Sequence, residues 1–326
     1  MRIELATHLD GAVLEEILAL LDAVTRSDGH RPVGEHKYAH LAVGARDWTG
    51  ICARDADGRL IGYAHTRWGP SGTVPRVAME VVVDPAWREE GEVASVLVEE
   101  TCAVLGRAGG GRLWWWVHRV EDPGSTLAAD LGFVVQRDLA FMARPLSEPP
   151  PEAALPEGTV LASYRPGLDD DDLLRVNNAA FAGHPENGDW GPDELARRRS
   201  LPWFRPDDLL LAWRDGHLEG FVWLKWHGHD AEEVPVHDPV GEVYVLGVDP
   251  SAQGRGLGRA LLRVGLAHLA ARGCTRAVLY VDRSSAGAVA LYQSEGFTIV
   301  SHEVCYEREV PATHDPDAVD LRHPQP

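Results

Sequence analysis

The sequence predicts an α/β chain of the α+β type, organised as two tandem domains, each a mixed sheet flanked by helices. Three observations carry that expectation. At 326 residues the chain is long enough for two domains. Stretches of strand character alternate with amphipathic helical stretches in both halves. The order Val83-Asp84-Pro85 then Leu131-Gly132-Phe133 returns as Val248-Asp249-Pro250 then Glu295-Gly296-Phe297, a repeat at an offset of about 165 residues.

The halves are expected at residues 1–146 and 159–310, joined by 147–158. Ser147-Glu148-Pro149-Pro150-Pro151 through Pro156-Glu157-Gly158 neither pairs into a sheet nor continues a helix, because proline lacks the amide hydrogen, so it makes a semi-rigid spacer. Residues 311–326 carry Pro, Asp and His without periodicity and are expected to be a disordered tail.

In the first half Arg112 to Val117 reads as a strand by its aromatic and branched content. Successive strand residues face opposite sides, so Trp114, Trp115 and Trp116 are expected to divide between a core and a second face; a ligand-stacking platform is the alternative. In the second half Glu242 to Val248 is a strand, and Leu257, Ala260, Leu261, Val264, Gly265 and His268 follow helical spacing. Ala277 to Val281 reads as the next strand and Ala286 to Ser294 as a short helix.

The most informative stretch joins that strand to that helix: Gly247-Val248-Asp249-Pro250-Ser251-Ala252-Gln253-Gly254-Arg255-Gly256-Leu257-Gly258-Arg259. Amides at a helix start are unpaired and the dipole adds partial positive charge there. Gly254, Gly256 and Gly258 let the backbone approach a phosphate, and Arg255 and Arg259 add charge, so the stretch reads as a pyrophosphate cradle. A P-loop needs Lys-Ser/Thr after the last glycine, and Arg259-Ala260 follows instead. A dinucleotide fold needs the loop after the first strand, and this one lies late in the chain.

Composition narrows the partners. A formal net charge of −19 argues against nucleic acid and anionic membranes. Cys52, Cys102, Cys274 and Cys305 show no metal spacing, which suits a reducing, cytoplasmic setting. The N-terminus has no signal-peptide shape, and no apolar run is long enough to span a bilayer. His227, His229, Asp230 and His237 match no ligand spacing on a rigid scaffold, so no metal is expected.

The Gln-x-x-Gly-x-Gly pattern with its Val-Asp-Pro lead-in, together with the closing Tyr292…Gly296-Phe297, resembles the Gcn5-related N-acetyltransferase (GNAT) family. The resemblance implies two tandem domains of that type, each with a mostly antiparallel sheet. It implies acetyl-CoA as cosubstrate, held by Leu246, Gly247, Val248, Gln253 to Arg259, and the helix start Ser285, Ala286, Gly287, Ala288, Val289 and Ala290. Val81, Val82 and Val83 are the corresponding positions of the first half. The segments Leu174 to Glu186, Trp223 to Lys225 and Gly241 to Pro250 are similar to a branch of the family that acetylates the cysteinyl amine of cysteinyl-glucosaminyl-inositol. For that acceptor the implied contacts are Glu35, Glu186, Lys225, Glu242 and Tyr280. Ser285 and Ala290 stand where the family usually has Asn and Arg, a departure that bears on the distal part of the cofactor.

Amide formation from a thioester requires a base for the amine, donors for the oxyanion and an acid for the departing thiolate. Glu242 is the candidate base and Tyr292 the candidate acid, with backbone amides around Leu246 to Val248 as oxyanion donors. At about 3.3 Å per residue Glu242 lies roughly 13 Å along the strand from Leu246, so proton transfer is expected through ordered water or a bulge that shortens the path. A strand-end carboxylate that binds a substrate hydroxyl, and an aromatic ring that packs beneath its helix, are the plainer alternatives for these two residues. In the first half the cradle is replaced by Arg88-Glu89-Glu90-Gly91-Glu92-Val93, and Ala128 stands at the place of Tyr292, so chemistry is assigned to the second half. An acetyltransferase for another small-molecule or peptide amine, and a non-catalytic acyl-CoA-binding protein, stay open as alternatives. A monomer is expected, because the repeat provides internally what single-domain relatives obtain by pairing.

Overall fold

A computed structural model describes the chain except for residues 7–10, 35–40, 42–47, 70–75, 89–90, 121–125, 149, 185–187, 228–237 and 314–326. Two compact units emerge. The first comprises Met1–Ala140, Asp282–Ser284 and Ser301–Pro326; the second comprises Phe141–Val281 and Ser285–Val300.

In chain order the elements of the first unit are β1 (Arg2–Ala6), α1 (Gly11–Asp28), β2 (Trp48–Arg54), β3 (Leu60–Trp68), β4 (Arg76–Val83), α2 (Glu92–Arg107), β5 (Gly111–Val120) and α3 (Thr126–Asp130). The strand β6 (Val134–Pro145) leads into the second unit, which continues with β7 (Thr159–Ser163), α4 (Asp170–Ala180), α5 (Pro192–Arg199), β8 (Leu209–Arg214), β9 (His217–His227) and β10 (Val240–Val248). Then come α6 (Leu257–Ala271), β11 (Arg276–Asp282), α7 (Ala286–Ser294) and β12 (Thr298–Val310).

Within each unit the strands pair in both senses, as the sequence predicts. In the first unit β1 to β4 pair antiparallel in chain order, and β4 pairs parallel with β5. In the second, β7, β8, β9 and β10 pair antiparallel in chain order, and β10 pairs parallel with β11. The contact boundaries differ from the sequence halves at the end of the chain. Residues Ser301–Val310 of β12 belong to the first unit, where they run antiparallel to β5 from His302↔Val120 to Val310↔Gly111. Of the segment expected to be a disordered tail, Thr313 is held by its N–H donating to Gly106 O (2.9 Å); residues 314–326 lie outside the described part.

The first core gathers Ile51, Ile61, Met79, Leu97, Leu113, Trp115 and Tyr306. Trp115 lies in it, while Trp114 donates to Glu307 (2.6 Å) beneath the Arg76 guanidinium and Trp116 faces Arg137. In the second unit Gly241 and Gly265 let α6 lie close on the sheet: a Cβ at Gly241 would stand 2.5 Å from Leu269.

Behind β4, His118 is an imidazole between two carboxylates: Nε2 reaches Glu80 (2.7 Å) and Nδ1 reaches Glu303 (3.1 Å). The Gly34 N–H also donates to Glu80. Burial disfavours the imidazolium, but the bonds to Glu303 and Glu80 outweigh it and raise the His118 pKa to about 9. A pKa raised above the unfolded value of about 6.5 adds stability that is complete below that value and lost as pH rises through the folded pKa. Thermal unfolding of the first unit should therefore fall in Tm between about pH 6.5 and pH 9, and His118→Gln should flatten that part of the curve. Calorimetry at a series of pH values, wild type against variant, checks both.

Candidate active site

The site is built where β10 parts from β11. Their parallel ladder runs Val240↔Arg276, Gly241↔Ala277 and Glu242↔Val278, and ends there. On its other edge β10 stays paired with β9 to Val248↔Gly220. Backbone groups of β10 beyond Glu242 therefore face the opening of a fork. An extended ligand carrying amides can add there as a further strand.

Within that stretch the register jumps between Val243↔Leu224 and Val245↔Trp223, so Tyr244 is an extra residue in β10. This is a β-bulge, which bends a strand and re-aims its backbone groups. An aromatic cluster holds the bulged residue: the Tyr244 ring packs on Trp203 (4.9 Å) and Trp223 (5.5 Å), and Arg198 of α5 donates to its hydroxyl. The Arg198 guanidinium also lies 4.1 Å over Trp190 and bonds Glu194.

The first unit is the internal comparison. Its β4–β5 ladder runs Arg76↔Arg112 to Glu80↔Trp116, and its β3–β4 ladder passes from Trp68↔Val77 to Gly62↔Val83 without a register break. Matching the ladders sets Val240 against Arg76, an offset of 164, whereas the turns after the bulge set Asp249 against Asp84, an offset of 165. The single extra residue is the bulge. The turns themselves are alike: Asp84 accepts from Ala86 N–H as Asp249 accepts from Ser251 N–H. Arg88 donates to Val83 O (3.1 Å) as Gln253 donates to Val248 O (3.1 Å).

The glycine turn follows. Gly254 and Gly256 have φ of +76° and +84°, and a Cβ at either would meet nothing within 4 Å. Gly256 is the N-cap of α6, with no side chain capping the helix, so its first amides are open. Gly258 is an ordinary helical residue, where a Cβ would stand 3.6 Å from Val248, so left-handed backbone is required at two of the three glycines. Gly247 is fixed by packing, since a Cβ there would stand 2.6 Å from the Phe221 ring. These features fit a pyrophosphate and an extended amide-bearing arm.

The charges differ from expectation. Arg255 is paired with Glu219 (2.9 Å), and Arg259 is bonded to Glu295 and to Ser294 Oγ (2.9 Å). Burial raises the Glu295 carboxyl, but bonds from Arg263 and Arg259 outweigh it and hold it below its ordinary value. The anion-attracting part of the turn is therefore chiefly the bare amides, with both guanidiniums already balanced by carboxylates. The corresponding helix start in the first unit is less open. Gly91 is again left-handed, but Leu127 methyls lie 3.7 Å from where its Cβ would be, and Glu92 occupies the first helical position. Arg88 there is also bonded through both Nη atoms to Asp28 (2.8 Å each). Val81, Val82 and Val83 line a cavity of about 290 Å³ with Trp115, Trp116 and His118, entirely within the first unit. Glu89 and Glu90 lie outside the described residues.

The other expected site residues fall as follows. Glu242 is buried at the fork, with His227 Nε2 bonded to its Oε2 (2.8 Å). Lys225 stands directly across from it on β9, 7 % exposed, its Nζ 5.1 Å from the Trp203 ring centroid, which a surface lysine would not be. Tyr280 lies two residues beyond Val278 on β11, exposed, with its ring packed at a tilt against Phe141 (4.9 Å). Ser285 is the N-cap of α7 and makes no side-chain cap bond, so the amides of Ala286 and Gly287 begin an open helix end, while Ala288 and Val289 donate to Ser285 O (3.0 and 3.1 Å) and Ala290 follows in the first turns. Tyr292 packs edge-on to Phe297 (5.9 Å), and burial pushes its hydroxyl up to about 12. It is therefore protonated at neutral pH. Its counterpart is the buried Ala128, fixed by matching bonds from Phe297 N–H to Tyr292 O and from Phe133 N–H to Ala128 O. Glu35 and Glu186 lie outside the described residues, as do His229, Asp230 and His237. Among the described residues no His, Cys, Asp or Glu cluster suited to a metal is present.

Sequence reasoning offered a bulge between Glu242 and Leu246 as one of two alternatives without placing it at Tyr244, and it did not foresee the His227–Glu242 bond. The signal available for that bond was His227 lying two residues past Lys225 on a strand, and hence on the same face.

Fork, open glycine turn and buried tyrosine together define an acetyl-CoA-dependent N-acetyltransferase of the GNAT type, and the profile of the acetyltransferase (GNAT) family matches residues 175–297. The fold is shared with a tandem GNAT protein of the clavulanic acid pathway (TM-score 0.71, 15 % identity, 96 % of this chain and 100 % of that one). It is shared too with a GCN5-related N-acetyltransferase from Sphaerobacter thermophilus (TM-score 0.66, 22 % identity, 96 % and 97 % covered). In sequence the chain is 42 % identical over 318 residues to the mycothiol acetyltransferase of Acidothermus cellulolyticus, covering 94 % of this chain and 95 % of that one. It is 41 % identical to the mycothiol acetyltransferase of Thermomonospora curvata, with 91 % and 94 % covered. The chain belongs to the mycothiol acetyltransferase family.

Gly256→Ala places a side chain on left-handed backbone, a strain of about 1–2 kcal/mol, and blocks the open amides. Loss of one charge-assisted bond is expected to weaken acetyl-CoA binding roughly tenfold or more. Gly91→Ala in the first unit should lower stability and leave that affinity unchanged. Calorimetric titration of both variants with acetyl-CoA checks the contrast.

Proposed function

We propose that the second unit transfers the acetyl group of acetyl-CoA to the cysteinyl amine of cysteinyl-glucosaminyl-inositol, giving mycothiol. The observation that carries this reading is the fork. One unit carries a buried carboxylate, a bulge, open left-handed glycines and a protonated tyrosine, while the positions of the other unit matched to that carboxylate and tyrosine hold Ala78 and Ala128. The acceptor follows from the resemblance carried by Leu174 to Glu186, Trp223 to Lys225 and Gly241 to Pro250, and the relatives' name, mycothiol acetyltransferase, supports it.

The bound thioester supplies the activated acetyl group. The chain's residues do the rest. The glycine-turn amides hold the pyrophosphate. The β10 edge aligns the amide-bearing arm. Backbone N–H groups re-aimed by the bulge face the carbonyl oxygen. Glu242 takes the proton of the acceptor ammonium, through the shorter path that the bulge creates or through ordered water. Tyr292 returns a proton to the departing sulfur. Lys225, Tyr280 and Glu186 hold the hydroxyl-rich acceptor. The first unit supports the fold.

Surroundings follow the same reading. No helix among the described residues is long and apolar enough to cross a membrane. The four cysteines are free and buried. We place the chain in the cytoplasm as a monomer acting on a small molecule, without nucleic acid or membrane partners, in keeping with its charge of −19.

Glu242→Gln is expected to lower kcat by about 10²-fold and Tyr292→Phe by about 10-fold, with acetyl-CoA affinity kept. Acetyl-CoA consumption with cysteinyl-glucosaminyl-inositol, set beside polyamines, aminoglycosides and peptide N-termini, tests the acceptor. Turnover confined to those other amines removes it. With Tyr292 protonated up to about 12, kcat should show no alkaline loss below pH 9.

A further inference from the structure

We infer that Arg198 is a positioning residue for the acetyl carbonyl: by gripping Tyr244 it keeps the bulge at one place in β10 and so fixes where the backbone amides beyond it point. The inference rests on the reading of the fork as the thioester site.

Tyr244 has no counterpart in the first unit. Before the bulge Val243 matches Met79. After it Val245 matches Glu80, which bonds His118 and the Gly34 N–H instead. In a regular strand neighbouring side chains take opposite faces. Here Tyr244 and Val245 both pack into the cluster that holds Trp190 and Trp223. Ladder bonds alone do not fix the place of an extra residue in an apolar strand, since a slip by one residue keeps the pairing and moves the bulge. A side-chain grip on the extra residue does.

Arg198 is built as that grip. Its side chain is only 11 % exposed, so it is held within the unit and not in solvent. Nε donates to Glu194 Oε1 (2.8 Å) one turn back on α5, and Nη1 donates to the Tyr244 hydroxyl. The guanidinium lies 4.1 Å from the centroid of the Trp190 ring. Three contacts in three directions hold a planar fork in one orientation, which the single ammonium of a lysine does not reproduce. Trp190 is itself fastened to α4: its N–H donates to Asn178 Oδ1, and Asn178 Nδ2 donates to its carbonyl, both at 2.9 Å. One arginine thereby ties the bulge to two helices. The same packing extends to the acceptor side, because Trp203 lies against both Tyr244 (4.9 Å) and the Lys225 Nζ (5.1 Å).

The test compares Arg198→Met, which keeps the length of the side chain without a donor, with Tyr244→Phe, which removes the hydroxyl alone, and with the double variant. Turnover is measured with whichever amine the wild-type enzyme acetylates, so a different acceptor leaves the comparison intact. Thermal unfolding and calorimetric titration with acetyl-CoA establish folding and cofactor binding. The expected result is a kcat lower by about tenfold in each single variant, with KM for both substrates within about twofold, because misaimed amides fail the transition state and not the bound ground state. The double variant should be no slower than Arg198→Met alone, since both changes break one contact. Should the methionine variant not fold, Tyr244→Phe carries the test by itself. A folded variant with lowered Tm and unchanged kcat, a loss carried by KM, or multiplied losses in the double variant overturns the assignment. A Glu242→Gln enzyme with undiminished kcat, or a wild type inactive on cysteinyl-glucosaminyl-inositol, overturns the proposed function instead, a separate result.

Discussion

One additional residue in one strand separates the second unit of this molecule from the first. Tyr244 is the extra residue of the β10–β9 ladder, where the register shifts by one. A bulge costs ladder bonds, so it persists only if something holds it. Here Trp223 of β9 and Trp203 of the loop between α5 and β8 pack around the tyrosine ring, and Arg198 of α5 binds its hydroxyl. The distortion is thus secured by side chains drawn from separate elements of the unit.

The two units show how a repeated architecture can diverge in function by small steps. The turn after each β-strand keeps the same aspartate cap and the same donor to the strand's last carbonyl. What changes is what stands in front of it. In one unit an apolar side chain and a glutamate adjoin the helix start, and in the other it is bare. Anion binding by backbone amides is a matter of what is left uncovered, and substitution at one or two positions suffices to remove it.

Much of this was legible in the residues. The repeat, the mixed sheets, the glycine turn opening α6 and the Ala128–Tyr292 contrast all have local signatures: punctuating glycines, helical spacing, short motifs at a constant offset. The bulge had none, because an extra residue in an apolar strand of alternating faces leaves no compositional mark, and it shows in the sequence only as a change of offset by one. The charge state of the turn was illegible for another reason. The partners of Arg255 and Arg259 are Glu219 and Glu295, 36 residues away in each case, so only the fold brings them together. The boundary between units was hidden in the same way, since nothing in Ser301–Val310 indicates that its partner strand is β5.

That last pairing bears on how the molecule is made. The strand that completes the first unit follows the whole of the second unit in the chain, and its buried Val304, Tyr306 and Val310 are part of the first unit's core. The first unit is therefore complete only once residues 301–310 have been made. A nascent chain stopped before residue 301 would carry every residue of the second unit and yet lack the strand that pairs with β5.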